Sequence, residues 1–210
     1  MASSTESRRT RKRPEERREE IVEAAATIAL GEGLERVTLR AVADRLGVRP
    51  GLITHYYPAA EDLVTEAFGR AASVERERFF PHDGTPVERL ARFLHHVESG
   101  ASAPLAQLWL NARHLARFSP ALAGVLEEQD ALDRERLTAI IAAGGAAGDF
   151  DVADAEVASI RILLAIDGSG SYVNSGDEID HPVRRSFAAD VAEWSLGLPV
   201  GSLAWAVQRG

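Results

Sequence analysis

Residues 39–57 read LRAVADRLGVRPGLITHYY, and this stretch decides how the N-terminal part of the chain folds. Its apolar residues have the spacing of two short helices that meet at a steep angle. Gly47 lies between the helices, where a residue without Cβ reaches positive φ at little cost. Pro50 suits the first turn of the second helix because no backbone donor is needed there. With Ile53 assigned to the core, the pattern is that of a helix-turn-helix, whose second helix lies in the major groove of DNA.

A helix hairpin that binds nothing is the alternative interpretation of the same stretch. The spacing between Ala43 and Gly47 fits a helix-turn-helix and a plain helix hairpin equally. This spacing alone is therefore weak evidence for DNA binding. The dipeptide Pro50-Gly51 exposes the start of the second helix, and basic side chains surround the stretch. These basic residues, which favour DNA binding over a plain hairpin, are Arg36, Arg40, Arg45 and Arg49.

Helical periodicity continues on both sides of this stretch. No strand pattern and no internal repeat is present, so we predict an all-α chain of about nine helices that bury their apolar stripes against one another. Thr38 is a plausible N-cap for the first helix of the pair. The helices are predicted at roughly 14–31, 38–46, 50–57, 60–80, 86–99, 104–118, 119–147, 152–172 and 183–197, with a last short segment near 203–207.

Length and composition exclude several classes of protein. The 210 residues are enough to bury a core, and the absence of cysteine excludes disulfide scaffolds, zinc-thiolate sites, iron–sulfur clusters and a cysteine nucleophile. No apolar run approaches the ~20 residues that cross a bilayer, and no apolar stretch precedes Ile21. We therefore expect a cytoplasmic protein without membrane contact, metal or cofactor.

Charge is unevenly distributed along the chain. The formal net charge is −8, yet residues 1–60 carry eleven basic and nine acidic side chains. Residues 1–13 hold five basic residues against one acidic residue and show no periodicity, which predicts a disordered basic arm. That arm either touches DNA or is a solubilising tail. An acidic total does not exclude a nucleic-acid partner, because a footprint needs only a local basic surface.

The run VTLRAVADRLGVRPGLITHYYPAAEDLVTEAF, residues 37–68, resembles the TetR family of bacterial one-component transcriptional regulators. The resemblance is strong over residues 17–68, and GLITHYY (51–57) looks most like the branch that contains the choline-responsive repressor BetI. Three later segments fit that branch more loosely: 104–122, 136–150 and 153–168. The resemblance implies an all-helical homodimer with a helix-turn-helix DNA-binding domain at 14–62 and an effector-binding and dimerisation domain at 63–210.

Two positions depart from the family pattern. The family usually has lysine where Ala60 stands, just before the glutamate that opens the fourth helix, so one phosphate contact is missing. Tyrosine is frequent in the family at the position of Thr54, which puts the details of base reading in doubt but not the docking mode.

The resemblance also assigns roles in DNA binding. Thr38 resembles the phosphate anchor at the start of the first helix of the pair, and Tyr56 matches a phosphate-contacting position, with a core aromatic as its alternative. Arg49 either donates two hydrogen bonds to a guanine, worth about 1–3 kcal/mol of discrimination, or contacts a phosphate. The predicted DNA-contact residues are Thr38, Arg40, Arg49, Pro50, Gly51, Leu52, Thr54, His55 and Tyr56.

In the C-terminal part, aromatic residues recur on helical faces. Such stripes are usually plain core, but the resemblance implies that this bundle encloses an unidentified small-molecule effector, and pockets of this kind are mostly apolar with a few polar groups. The candidate effector-binding residues are Phe93, His96, Trp109, Asn111, Arg113, Asp167 and Tyr172.

Asp167 is the most suggestive of these candidates. It follows the apolar run 163–166, and a buried carboxylate needs a partner. That partner is expected to be an effector cation, a helix N-terminus or a group across a dimer. Trp109 and Tyr172 add cation–π contact if the effector is cationic.

The sequence as a whole predicts a ligand-responsive repressor that releases operator DNA when its effector binds. Segments 155–165 and 187–198 resemble the last two long helices of the family, which form a four-helix interface in its dimers. Two-fold symmetry then places the recognition helices about 34–36 Å apart, or wider in a splayed dimer. The alternatives are an all-helical enzyme, for which no Glu-x-x-His pair or spaced nucleophile and base is found, and a non-specific nucleic-acid-binding protein.

Overall fold

The computed structural model describes residues 13–174 and 181–207 of the chain. Over these residues the chain is all-helical, as predicted, with ten α-helices, two short 3-10 helices and no strand. The predicted basic arm lies outside the described residues except for Arg13. The helices are α1 Pro14–Gly31, α2 Leu39–Leu46, α3 Pro50–Tyr56, α4 Ala60–Phe79, α5 Pro86–Glu98, α6 Ala103–Leu115, α7 Pro120–Ala147, α8 Ala155–Gly170, α9 Pro182–Ser195 and α10 Ser202–Val207, with 3-10 helices at Leu34–Arg36 and Gly100–Ser102.

The bounds of α2 and α3 are determined by a cap, a glycine and a proline, as the sequence predicts. The Thr38 hydroxyl accepts a hydrogen bond from the backbone N–H of Ala41 at 3.0 Å, which caps α2. Gly47 ends α2 in the left-handed region with φ +63°. Pro50 occupies the first turn of α3, and Ile53 is completely buried. The predicted cap, turn and core residue of the helix-turn-helix are therefore confirmed.

The N-terminal core extends beyond the first three helices. Buried residues of α1, α2, α3 and the first half of α4 form one apolar cluster, which also takes in Leu108 and Ala112 of α6 and Leu122 and Leu126 of α7. The predicted boundary after residue 62 falls inside α4. This helix therefore belongs to the helix-turn-helix core at its start and to the larger bundle at its end.

A second core joins the remaining helices. Phe79 and Phe80 at the end of α4 pack with buried apolar residues of α5, α7, α8 and α9. Glu193 on α9 is buried, and its carboxylate accepts hydrogen bonds from the backbone N–H groups of Gly201 at 2.7 Å and Leu203 at 2.9 Å. These bonds satisfy amides at the start of α10, so a buried acidic residue closes the C-terminal end of the bundle.

The largest differences from the predicted bounds are three residues, at the end of α6 and at the start of α8, and each has a local reason. α6 ends at Leu115 rather than 118, because the chain then turns through a bond from Phe118 N–H to the carbonyl of Leu115 at 2.9 Å. α8 begins at Ala155 rather than 152, because the Asp154 carboxylate caps it by accepting from the amide of Val157 at 3.0 Å.

Two glycines within α7 provide a matched test of the packing. A Cβ added at Gly144 overlaps the ring of Phe150, whereas one added at Gly124 meets nothing within 4 Å. We expect Gly144→Ala to lower the free energy of unfolding by about 1–3 kcal/mol, because the Phe150 ring must shift. Gly124→Ala should raise it by about 0.5–1 kcal/mol, since alanine is the better helix former. Urea unfolding measures both, and a Gly144→Ala protein as stable as the parent contradicts the packing described.

Candidate DNA-binding face and ligand cavity

The predicted DNA-contact residues all lie on the α2–α3 pair and are open to solvent to some degree. Leu52 and Tyr56 are half-buried, and the others are exposed, whereas Ile53 on the same helix is buried. The exposed predicted residues are Thr38 and Arg40 at the start of α2 and Arg49, Pro50, Gly51, Thr54 and His55 on α3 and its cap.

Charge on this face is available to an anionic partner. Arg49 forms no ion pair with the residues that the structure describes, and Arg40 lies 3.8 Å from Asp44 in a pair whose two side chains are both largely exposed. Exposed pairs of this kind are weak and are easily exchanged for a phosphate. Ala60 opens α4, so the position where the family usually has lysine carries no cation.

A buried tyrosine fixes the end of α3. The hydroxyl of Tyr57 donates a hydrogen bond to Glu66 of α4 at 2.5 Å, and the Arg18 guanidinium of α1 lies 4.6 Å from the ring centroid and pairs with Glu66. Burial, followed by the hydrogen bond to Glu66, raises the pKa of Tyr57, so the phenol stays neutral and keeps donating. Tyr57 is not among the residues predicted from the sequence, although its position four residues after buried Ile53 indicates the same helix face.

A cavity of about 600 Å³ lies within the C-terminal bundle, between residues of α4 to α9. Its wall is mostly apolar, with Phe79, Phe80 and Leu163 among the lining residues, and charged side chains interrupt it in two places. The structure brings five of the seven candidate effector-binding residues to this wall. They are Phe93, Trp109, Arg113, Asp167 and Tyr172.

The other two candidates lie away from the cavity wall. The ring of His96 packs against Phe79 with centroids 4.0 Å apart, and burial lowers its pKa. Asn111 donates a hydrogen bond from Nδ2 to the Glu35 carboxylate at 2.8 Å, on the 3-10 helix that leads into α2. Asn111 is two positions from both Trp109 and Arg113, about half a turn of α6, so it faces the segment that leads into the helix-turn-helix instead.

Arg113 is the partner of Asp167. Its Nη2 donates to Asp167 at 2.8 Å, and its two terminal nitrogens each donate to Asp130 at 3.1 Å. The expected partners were an effector cation, a helix N-terminus or a group across a dimer, and the structure corrects this with an arginine of the same chain. Burial raises the pKa of Asp167, while the positive charge of Arg113 opposes that rise.

A second ion pair stands beside this one. The buried guanidinium of Arg76 on α4 pairs with Asp133 of α7 and donates to the Gln129 side chain at 2.7 Å. Arg76 and Asp133 line the same cavity as Arg113, Asp130 and Asp167. Three carboxylates therefore lie beside two guanidiniums in this part of the wall. When all are ionised, this part of the wall carries one uncompensated negative charge. A second charged region of the wall, from α5 and α9, contains Glu98, Arg184 and Arg185.

Trp109 connects the cavity with the N-terminal core. Its indole lines the cavity, and its edge meets the buried ring of Phe68 on α4, with centroids 5.3 Å apart and planes at 88°. Phe68 packs in the same cluster as the buried residues of α2 and α3. Trp109 therefore contacts both the cavity and the core that supports α2 and α3.

The outer faces of α8 and α9 expose apolar side chains at helical spacing. The guanidinium of Arg161 on α8 lies 5.3 Å from the ring centroid of Trp194 on α9, so the two faces adjoin. Among these residues Leu164 is 65% exposed and Trp194 71% exposed. The exposed apolar set is Val157, Ile160 and Leu164 on α8 and Val183, Phe187 and Trp194 on α9.

The described residues contain neither a group of side chains arranged for a metal ion nor a helix suited to span a membrane. No three or more His, Cys, Asp or Glu side chains in that part of the chain are grouped to hold a metal ion. None of the described helices has the length and apolar character that crossing a membrane requires.

Residues 21–67 match the sequence model described as bacterial regulatory proteins of the tetR family. The repressor KstR of Mycobacterium tuberculosis is 38% identical over 78 residues, which are 36% of this chain and 36% of KstR. KstR of Mycolicibacterium smegmatis is 37% identical over 78 residues, 36% of this chain and 38% of that protein. The chain thus matches little more than a third of the length of these curated relatives.

Solved structures match nearly the whole chain, at identities that establish the fold alone. A protein from Saccharomonospora viridis, solved in complex with choline, has a TM-score of 0.73 and 22% identity over 87% of this chain and 98% of its own. FadR of Bacillus subtilis, solved with stearoyl-CoA, has a TM-score of 0.64 and 21% identity over 85% of this chain and 97% of its own. The helix-turn-helix segment thus matches the tetR family of bacterial regulatory proteins, and the fold around it is shared with these solved structures.

Proposed function

We propose that this protein is a dimeric repressor that leaves its operator when a small molecule enters the cavity. The observation that carries the proposal is the direct contact between the cavity wall and the DNA-binding core, through Trp109 and Phe68. Residues 14–62 then read DNA, while residues 63–210 bind the effector and form the dimer.

DNA binding rests on the exposed residues of α2 and α3. The Thr38 hydroxyl and the first backbone amides of α2 face a phosphate. A helix N-terminus favours such an anion. Arg49, Thr54 and His55 project from α3 toward base edges, and Tyr56 contacts the backbone. Phosphate contacts supply affinity and register, whereas base contacts supply specificity.

Release follows from a shift in population between two dimer geometries. An effector against Trp109 favours the arrangement in which the two recognition helices are wrongly spaced for the operator. Coupling of this kind amounts to about 1–3 kcal/mol and is reciprocal, so operator DNA weakens effector binding by the same factor. Two elements support this coupling. α4 contributes to both cores, and the Asn111–Glu35 hydrogen bond joins α6 to the segment before α2.

Dimerisation rests on α8 and α9. Their exposed apolar side chains are spaced along one side of each helix, and a two-fold axis places the four helices of two protomers against one another. The predicted interface through the last two long helices is retained here as part of the proposal, since an uncovered apolar stripe of this extent is typical of an interaction site.

The effector is a molecule with a cationic group, as in the BetI-like branch. The uncompensated negative charge beside Trp109 supports a cation there, because carboxylates and an aromatic face both attract one. The fold shared with a protein that was solved with choline is consistent with this assignment. Choline is therefore the first compound to test.

The test is fluorescence anisotropy with purified protein and DNA tiled across the intergenic regions that flank its own gene, each tile against scrambled competitor. A specific regulator binds one tile at nanomolar affinity, and choline added to that complex lowers the anisotropy. Equally weak, salt-sensitive binding to every tile at physiological salt contradicts a specific regulator.

Arg49 provides the test of base reading. Replacing Arg49 with alanine should weaken operator binding by about 5- to 150-fold, since a bidentate contact to guanine contributes about 1–3 kcal/mol. The change should also relax the preference at one base pair. Arg134→Ala, at an exposed position of α7, is the control. Equal affinity for all single-base operator variants, before and after the Arg49 change, contradicts the groove-facing assignment.

The adjacent tyrosines separate a structural role from a DNA-contact role. Tyr57→Phe should lower the free energy of unfolding by about 1–3 kcal/mol, because Glu66 loses a buried hydrogen-bond donor. Tyr56→Phe should change that free energy by less than about 0.5 kcal/mol, because its side chain is half-exposed. It should nevertheless weaken operator binding. Chemical unfolding and operator anisotropy of both variants check this, and an unchanged operator affinity for Tyr56→Phe rejects its phosphate contact.

Leu164 tests the dimer face. Leu164→Glu puts a charge into the proposed apolar interface, so light scattering after size exclusion should show a monomer where the parent is a dimer. Phe118→Glu is the matched control, because Phe118 is 73% exposed but lies after α6, away from this face. A Leu164→Glu protein that remains dimeric at the same concentration places the interface elsewhere.

A further inference from the structure

The guanidinium of Arg113 occupies a place that has the chemistry of a cation-binding site. It lies 5.5 Å from the ring centroid of Trp109, and its hydrogen bonds engage Asp130 and Asp167. An aromatic ring with two carboxylates around it is a set of groups that binds organic cations. In this structure the cation comes from the chain itself.

The site that the Arg113 guanidinium occupies is accessible to a ligand from the cavity. Trp109, Arg113, Asp130 and Asp167 all line the cavity of about 600 Å³. The side chains of Arg113 and Asp167 keep 38% and 46% of their surface accessible, so neither is sealed in the core. A group entering the cavity can therefore reach the carboxylates and the ring without unfolding the bundle.

Charge also favours an exchange of cations here. Arg113 forms ion pairs with two carboxylates, whereas Arg76 pairs with Asp133 and donates a hydrogen bond to Gln129. Two carboxylates share a single guanidinium, so a second cation is attracted before the first has left. An anionic group is repelled by this cluster, because its three carboxylates outnumber its two guanidiniums.

We propose that Arg113 is an internal stand-in for the effector's cationic group, which takes the place of the guanidinium against Asp167 and Trp109 when it binds. This inference rests on the proposed function, because it assigns a role within the same cavity. Arg113 is then a specificity-determining residue. Its guanidinium occupies the site in the absence of effector. An external cation must therefore bind Asp167 and Trp109 more favourably than this guanidinium does.

Displacement of Arg113 has a structural consequence. Its bonds join α6, through Arg113, to α7 at Asp130 and to α8 at Asp167. When the guanidinium gives up Asp167, α6 loses its direct ionic link to α8. α6 also carries Trp109 and Asn111, which contact the DNA-binding half. Exchange of one cation for another thereby changes the position of the helix that connects the cavity with the DNA-binding face.

Chemical rescue tests this proposal without knowledge of the natural effector. Arg113→Ala removes a group equivalent to ethylguanidinium, so ethylguanidinium chloride is the probe. It should bind the variant at least about tenfold more tightly than the parent and raise the variant's melting temperature in a saturable way. Tetramethylammonium should displace it, because both cations take the same place. Intrinsic tryptophan fluorescence and thermal unfolding report both events.

Controls separate site binding from a general salt effect. N-ethylurea has nearly the same shape without charge and should not bind, and Asp167→Asn in the Arg113→Ala background should abolish most of the rescue. Arg117→Ala is the matched variant, because Arg117 also lies over an aromatic ring, 5.6 Å from the centroid of Phe118, but has no carboxylate partner among the described residues. It should show no rescue by ethylguanidinium.

The proposal is overturned if ethylguanidinium binds Arg113→Ala no better than it binds the parent. It is also overturned if tetramethylammonium fails to displace ethylguanidinium. Should Arg113→Ala not fold, Arg113→Gln keeps most of the stem, and the bare guanidinium ion is then the probe, with the same two outcomes. Operator binding by the parent protein is measured separately, so a failure of the rescue leaves the regulator assignment standing and a failure of operator binding leaves the rescue interpretable.

Discussion

The edge-to-face contact between Trp109 and Phe68 is the interaction on which the rest of the account depends. One ring lines the cavity and the other lies in the core that supports α2 and α3. Aromatic pairs of this geometry are directional, so a displaced indole leaves Phe68 with a poorer contact or moves it. The shared helix α4 and the Asn111–Glu35 hydrogen bond also join the two parts, but this contact is the one that the cavity wall itself makes with the core of the helix-turn-helix.

Electrostatics of the cavity adds a second constraint. Three carboxylates and two guanidiniums on helices α4, α6, α7 and α8 are paired so that each helix is fixed through charge as well as packing. Such networks are sensitive to an incoming charge, because a pair that breaks leaves a charge without its partner, and this costs most at the buried guanidinium of Arg76. In the proposed mechanism a cationic ligand would act on several helices at once, and the apolar remainder of the wall would hold the body of the ligand.

The helix-turn-helix could be predicted from the sequence, because its determinants are local. The Thr38 cap, the positive φ of Gly47 and the burial of Ile53 each depend on neighbours a few positions away. The cavity was only partly predictable. Pairing of Arg113 with Asp167 joins residues 54 positions apart, and the turn of Asn111 toward Glu35 depends on how α6 packs. Periodicity indicates which residues share a helix face, but not which neighbour that face meets.

The central claim is that the state of the cavity wall sets the arrangement of the two DNA-binding halves. Because the chain has no cysteine, a single spin label can be placed by Thr27→Cys at an exposed position of α1, and its distance to the label on the partner protomer can be measured by pulsed dipolar spectroscopy. The account predicts that Trp109→Ala shifts or broadens this distance distribution and weakens operator binding, whereas Phe118→Ala changes neither. An unchanged distribution and an unchanged operator affinity in Trp109→Ala would contradict it.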